Sequence, residues 1–279
     1  MRISRRLAAA ALAVPLALSM TAGSAQGGSR PGHPHPGGCR QWIALTFDDG
    51  PSSYRTQTLE TLREKQVPAT FFDVGVRVAA NPQFAGFEAR EGHLVLNHTW
   101  DHPRLTTLTA EEVRSQLART EQVLARAGAP LPFRLVRPPF GATDPAVESA
   151  FTAEGYAFVT WDVVAVDWDV ATTSEEVRDT IVQALRPGLV VLMHDGPIDS
   201  AAGAADEAAL PQVIDRARAQ GYCFGQLDAE GEVVRARYRG TRAPVPEVIN
   251  PVPYLPLTET SRGQLPPEPY VVVDPAAQN

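Results

Sequence analysis

The stretch WIALTFDDGP, Trp42–Pro51, runs from an apolar segment straight into two adjacent acids and a Gly-Pro turn. A continuous apolar run such as Trp42 to Phe47 reads as a strand buried on both faces, which is how a parallel sheet covered by helices is written in sequence. Similar short runs recur at Ala69–Val74, Leu94–Asn97, Arg134–Val136, Ala157–Trp161, Leu189–Met193 and Tyr222–Leu227. Longer amphipathic segments separate them, clearest at Thr109–Ala127, Ser174–Leu185 and Asp206–Ala219, and the first of these opens on a capping box, Thr109 with Glu112. Strands each followed by a helix predict an α/β fold of about seven parallel strands with surrounding helices, closed or nearly closed into a barrel. Such a barrel carries its chemistry at the C-terminal strand ends. No repeat of fixed period is visible, which excludes a solenoid.

Outside that core the chain changes character. Arg2, Arg5 and Arg6 precede an apolar run from Leu7 to Leu18, and Gly23, Ser24 and Ala25 follow it, the pattern of a secretory signal cleaved near Ala25. The run is shorter than the roughly 20 apolar residues of a membrane span. Residues 26–38, QGGSRPGHPHPGG, read as a flexible linker in which nothing organises His33 and His35 into a site. The catalytic core is expected at 39–235. Residues 236–279 form a tail in which proline is dense, nine of the chain's 25 falling after Gly240, so it cannot run as central strand or helix. It would be disordered or lie extended over the surface.

Charge narrows the function classes. The 279 residues carry 25 Lys+Arg and 32 Asp+Glu, a formal net charge of −7, which becomes −10 once the signal and its three Arg are removed. An acidic chain argues against nucleic acid as a partner. Two cysteines cannot form a four-cysteine zinc site, so any metal must be held by His, Asp and Glu.

Unusual residues collect at the strand ends. Asp48 and Asp49 close the first strand, although Asp-Gly-Pro is also a plain turn signal. After the third strand comes NHTWDHP, Asn97–Pro103, with His98 and His102 four residues apart. One helical turn would put both imidazoles on the same face, favouring a ligand pair over two satisfied polar residues. The fourth strand ends in RPPFG, Arg137–Gly141, the fifth leads to WDVVAVDW, Trp161–Trp168, and the sixth ends in LMHD, Leu192–Asp195. An Arg, an Asp and a His in apolar surroundings are costly unless they pair in one pocket.

In this order the five segments resemble the five motifs of the polysaccharide deacetylases, carbohydrate esterase family four, also called the NodB-homology domain. The resemblance spans roughly Cys39 to Leu227. It implies a distorted (β/α) barrel that binds one divalent metal, zinc foremost, and hydrolyses an acetyl group from a sugar polymer. Carried over by position, it implies Asp48 as catalytic base, Asp49, His98 and His102 as metal ligands, and Arg137 as the residue that aims Asp48. Asp167 would orient His194 as general acid. Trp168, Leu192, Pro139 and Phe140 would line the substrate pocket, with a backbone N–H near Phe140 facing the oxyanion. The chain departs from the family at Val164, where an additional Asp is frequent, and at Phe140, where a Tyr is frequent; Asp162 then reads as an ordinary strand-end acid. His93 reads as structural, Asp101 as a turn residue, and Trp42 and Trp161 as core.

Cys39 and Cys223 stand at the entry to the first strand and in the last. First and last strands of a closed barrel lie side by side, which allows a bridge in an exported protein. The function expected is therefore that of a secreted, monomeric, metal-dependent N-deacetylase acting on N-acetylglucosamine units of peptidoglycan or chitin-type polysaccharide. Alternatives are an acetylxylan esterase using the same site and a catalytically inactive carbohydrate-binding relative. A non-haem iron oxygenase could use the same ligand trio, but would not need Arg137, Asp167 and His194 for proton transfer.

Overall fold

A computed structural model describes residues 39, 41–165, 167, 169, 171–195, 202–247 and 249. The expected signal, the tether with His33 and His35, Trp168 and most of the proline-rich tail lie outside the described residues.

The first strand, β1 (Gln41–Gly50), is buried from Ile43 onward because it is central. Its later half pairs in parallel with β2 (Thr70–Asp73) on one side and β7 (Val190–His194) on the other, while its first residues pair with β8 (Tyr222–Leu227). Beyond β2 the sheet continues through β3 (Leu94–Asn97), β4 (Leu135–Val136) and β5 (Ala157–Phe158); beyond β7 it ends at β6 (Val163–Val164). The sheet curls into a half-barrel whose two ends are β5 and β6, and the first strand lies beside β8 near the end of the chain, as expected. β6 and the short β9 (Val233–Val234) are two-residue strands that the sequence does not single out. β9 pairs antiparallel with β8, so the sheet is mostly rather than wholly parallel. β5 is exposed, not buried, because it is a sheet end.

Alternation along β1 sorts side chains between two cores. Ile43, Leu45 and Phe47 point outward with Val191 and Met193, against α1 (Arg55–Lys65), α6 (Ser174–Gln183) and α7 (Ala202–Ala219) through Leu59, Leu62, Val177, Ile181, Leu210 and Ile214. Ala44 points inward and meets Phe72, Leu96, Leu135, Val190 and Leu227. The expected helix at 109–127 is α4 (Ala110–Arg126). The Thr109 side chain accepts from the Glu112 N–H, and the Glu112 carboxylate accepts from the Thr109 N–H at 2.7 Å. The remaining helices are α2 (Gly75–Ala80), α3 (Gln83–Glu91) and α5 (Pro145–Ala153). Among the described residues no helix is long and apolar enough to cross a membrane.

Residues 236–247 run without helix or strand and are tied down by polar contacts. The Arg239 N–H donates to the Glu91 carbonyl at 2.8 Å, and Thr56 Oγ1 donates to the Pro246 carbonyl at 2.7 Å. His93 is buried among this framework, its Nδ1 accepting the Ala69 N–H at 3.1 Å; burial pushes it down to about 3, so it stays neutral. Trp42 and Trp161 are half-buried rather than core, the former under the Arg235 guanidinium.

Cys39 and Cys223 are bridged, with Cα atoms 5.8 Å apart and a sequence separation of 184. The pairing of Trp42 with Cys223 in the β1–β8 register brings them together. A crosslink closing so long a loop restricts the unfolded chain. Cys39→Ser with Cys223→Ser is expected to lower stability by about 2–5 kcal/mol, read as a fall in denaturation midpoint against the oxidised protein. An unchanged midpoint would show that the β1–β8 pairing needs no crosslink.

Candidate active site

Rows that face into the half-barrel end in polar side chains. On β1 the row is Ala44, Thr46, Asp48; on β7 it is Val190, Leu192, His194, and the register sets Asp48 opposite His194. The rows through Leu96 and Leu135 continue to His98 and Arg137. Apolar side chains fill the lower barrel, and the polar ones meet at its C-terminal mouth.

Asp49 would face away from this mouth in a regular strand. A left-handed backbone at Asp49 (φ 69°) and a register irregularity between Asp48 and Gly50 turn it back beside Asp48. The Arg77 guanidinium holds this turn by donating to the Asp49 carbonyl at 2.5 Å.

His98 and His102 do not lie on a helix. Their segment is an irregular loop with two left-handed residues, Thr99 (φ 69°) and His102 (φ 60°). Side chains capture the N–H groups a helix would have used: Asn97 Oδ1 accepts from Thr99 at 2.8 Å, and Gln116 Oε1 accepts from Trp100 at 2.8 Å. Gln116 also donates to Asp101 Oδ1 at 2.7 Å, so Asp101 supports the loop. Among the described residues, four of the five non-glycine residues with positive φ, Asp49, Thr99, His102 and Phe140, surround this mouth. Strained backbone of that kind persists where a fold over-determines it, commonly at functional sites.

The loop delivers both rings to one carboxylate. His98 Nε2 is 3.2 Å and His102 Nε2 is 3.1 Å from Asp49 Oδ1. His98 donates its Nδ1 proton to the Arg137 carbonyl at 2.7 Å, which leaves Nε2 as the ligand nitrogen when the ring is neutral. Burial pushes His102 down to about 4, leaving its imidazole neutral. Burial works against charge on His98, yet Asp48 and Asp49 raise it; burial would also raise Asp49, but His102 and His98 hold it well below the usual carboxylate range. Two neutral-capable imidazoles and one carboxylate, demanding positive charge at one point, fit a divalent cation.

Beside this trio, Asp48 Oδ1 accepts from Arg137 at 2.8 Å while its Oδ2 stands 3.7 Å from His98 Nε2. Arg137 is fully buried and also donates to Thr46 Oγ1 at 2.7 Å and to the Thr160 carbonyl at 2.9 Å, over the face of Phe72. Opposite, His194 Nδ1 bonds Asp167 Oδ2 at 2.7 Å. Burial works against an imidazolium there, but Asp167 overrides it and lifts His194 to about 9.

The residues expected at a substrate pocket separate. Leu192 is 2% exposed in the inward row, and Pro139 is buried in the turn after Arg137. Phe140 is 52% exposed, edge-on to His102 with ring centroids 4.7 Å apart and beneath the Arg104 guanidinium. Trp161 lies against Gly141, where a Cβ would come within 3.0 Å of its ring and φ is 61°. Asp162 accepts the Val190 N–H at 2.8 Å and pairs with Arg186, a structural role.

Sequence reasoning missed two groups behind the mouth. Arg55 is fully buried and pairs with Asp73 at 2.7 Å, with Glu88, and with both oxygens of Asp195, the residue after His194. Burial pushes Glu88 up to about 8 against the pull of Arg55. The second is Asp206, whose Oδ2 accepts the His194 backbone N–H at 2.7 Å. Both had the same signal: a charged residue on an apolar helical stripe, Arg55 in line with Leu59 and Leu62, Asp206 in line with Ala209, Leu210 and Val213.

Comparison with known proteins gives a consistent family. A family model described as polysaccharide deacetylase matches residues 36–159, a span that holds Asp48, Asp49, His98, His102 and Arg137 and ends before Asp167 and His194. A bifunctional xylanase/xylan deacetylase of Cellvibrio japonicus is 35% identical over 191 residues, 68% of this chain but only 28% of that protein's length. A peptidoglycan-N-acetylglucosamine deacetylase of Bacillus cereus is 31% identical over 196 residues, 70% of each chain. Among solved structures, a family 4 carbohydrate esterase from Streptomyces lividans in complex with acetate is 33% identical with a TM-score of 0.65, covering 71% of this chain and 99% of its own.

Proposed function

The chain belongs to the polysaccharide deacetylase family, and on that premise we propose that it is a secreted, metal-dependent hydrolase that removes acetyl groups from N-acetylglucosamine units of peptidoglycan or chitin-type polysaccharide. The observation that carries the reading is the meeting of Asp49, His98 and His102 at one point, flanked by an Arg-held carboxylate and an Asp-held imidazole. Asp49, His98 and His102 would hold the cation, zinc foremost, which when bound polarises the acetyl carbonyl and acidifies water.

The chain's own residues divide the proton work. Arg137 occupies Asp48 Oδ1, so Oδ2 is the oxygen turned toward the ligand trio and is the base for the attacking water. An amine is a poor leaving group until protonated. His194, bonded through Nδ1 to Asp167, presents its other nitrogen to the departing sugar nitrogen and delivers that proton. The turn at Phe140 supplies a backbone N–H for the oxyanion. Leu192 and Pro139 line the floor for the acetyl methyl.

The test is acetate release from peptidoglycan, chitin oligomers and acetylated xylan, with chelator and metal add-back. Release from the N-acetylglucosamine polymers, lost with chelator and restored by metal, is expected. The xylan deacetylase among the relatives makes acetylxylan the second reading, and acetate from xylan alone would establish it. No acetate from any polymer with the metal bound would leave only the inactive carbohydrate-binding relative.

A further inference from the structure

Asp206 lies on the buried stripe of α7 and is 2% exposed. A lone carboxylate in such a place is costly unless it is paired or neutralised. Its Oδ2 takes the His194 N–H, but Oδ1 meets no N–H or hydroxyl among the described residues, and the same holds for Asp167 Oδ1. Ligand atoms of Asp167, His194 and Asp206 nevertheless lie within 4.8 Å of one another, which brings the two carboxyl groups face to face. Two carboxyl groups can share a hydrogen bond only if a proton sits between them. Asp167 faces the His194 ring at 2.7 Å and so favours the anion, whereas among the described residues Asp206 faces a neutral amide and the Asp167 charge.

We propose that Asp206 is a positioning residue, a neutral carboxylic acid that donates its proton to Asp167 and thereby fixes the Asp167–His194 pair for proton delivery. The role rests on the reading of His194 as general acid. Burial and then the Asp167 charge push Asp206 well above the usual carboxylate range; burial would raise Asp167 too, but His194 and the bond from Asp206 hold it low. The charged groups acting on His194 are Asp167 from the segment after β6 and Asp49 and Asp48 from β1. With Asp206 neutral, the buried Asp167–His194 pair carries one charge of each sign.

Infrared spectra of the full chain at neutral pH, compared between wild type, Asp206→Asn and Asp206→Leu, read the proton directly. A carboxylic-acid carbonyl band that is present in wild type and lost in both variants is expected in the difference spectra, where the contribution of Glu88 cancels. Asn keeps a neutral donor for Asp167 and an acceptor for the His194 N–H, so it should rescue what Leu loses: with Leu, kcat falls on the order of tenfold at unchanged KM, while with Asn the alkaline limb stays within about half a pH unit. Four results would overturn the proposal: no acid band that is lost on substituting Asp206, an alkaline limb moved acidward by about a unit in Asp206→Asn, an unaltered kcat in a folded Asp206→Leu, or a second equivalent of bound metal that Asp206→Asn releases. The infrared band is read without substrate. An enzyme that shows the band but releases no acetate would refute the functional reading and leave the shared proton intact.

Discussion

Asp48→Asn is expected to lower kcat/KM for acetate release by about 10²–10⁴, the usual worth of a positioned general base, while metal content and fold stay as in wild type. The substitution is nearly isosteric. Its amide oxygen can still accept from Arg137, which lies 2.8 Å from Asp48 Oδ1, so the buried guanidinium keeps a partner. The metal trio of Asp49, His98 and His102 is untouched. What disappears is, among the described residues, the one carboxylate oxygen beside the trio placed to take a proton from water. Elemental analysis and initial rates on the same preparation check this. A variant that binds metal and works within a factor of two would remove Asp48 as the base.

Asp167→Asn should displace the alkaline limb of the rate profile. His194 is raised to about 9 because the Asp167 charge outweighs its burial. A general acid works in its protonated form, so wild-type activity persists below about 9 and falls as pH rises through that value. With Asn the opposing burial is left, and the imidazole loses its proton at least about 2 units lower. At pH 7.5 to 8 this costs on the order of tenfold to a hundredfold in kcat, with KM little changed. A limb that stays where it was would mean that His194 is not the group titrating. Asp167→Asn also removes the acceptor for the proposed Asp206 proton, so Asp206→Asn is the cleaner probe of that group.

The strand ends were legible because each chemistry-bearing residue interrupts an apolar run. Asp48 after WIALTF, Arg137 after Leu135 and Val136, and His194 after VVLM each stand where burial needs a reason. The pairing partners behind them were less legible. Arg55, Asp206 and Arg77 sit in helices whose other residues look ordinary, and a single polar residue on an apolar stripe carries a weak signal. The separation of His98 from His102 suggested a helical turn. Asn97 and Gln116 instead took the loop's N–H groups, and the two rings meet through left-handed residues that no spacing rule encodes.

The sequence by itself determined the alternation of buried strand and amphipathic helix, the capped start of α4, and which residue types gather at the strand ends. Those features follow from local periodicity, and local periodicity survives in one dimension. Only the tertiary structure decided that the sheet stops as a half-barrel between β5 and β6, that Asp49 turns back to join Asp48, and that Asp206 reaches Asp167 behind His194. Each of those depends on contacts between segments far apart in the chain, where register and backbone strain are set by what packs against them.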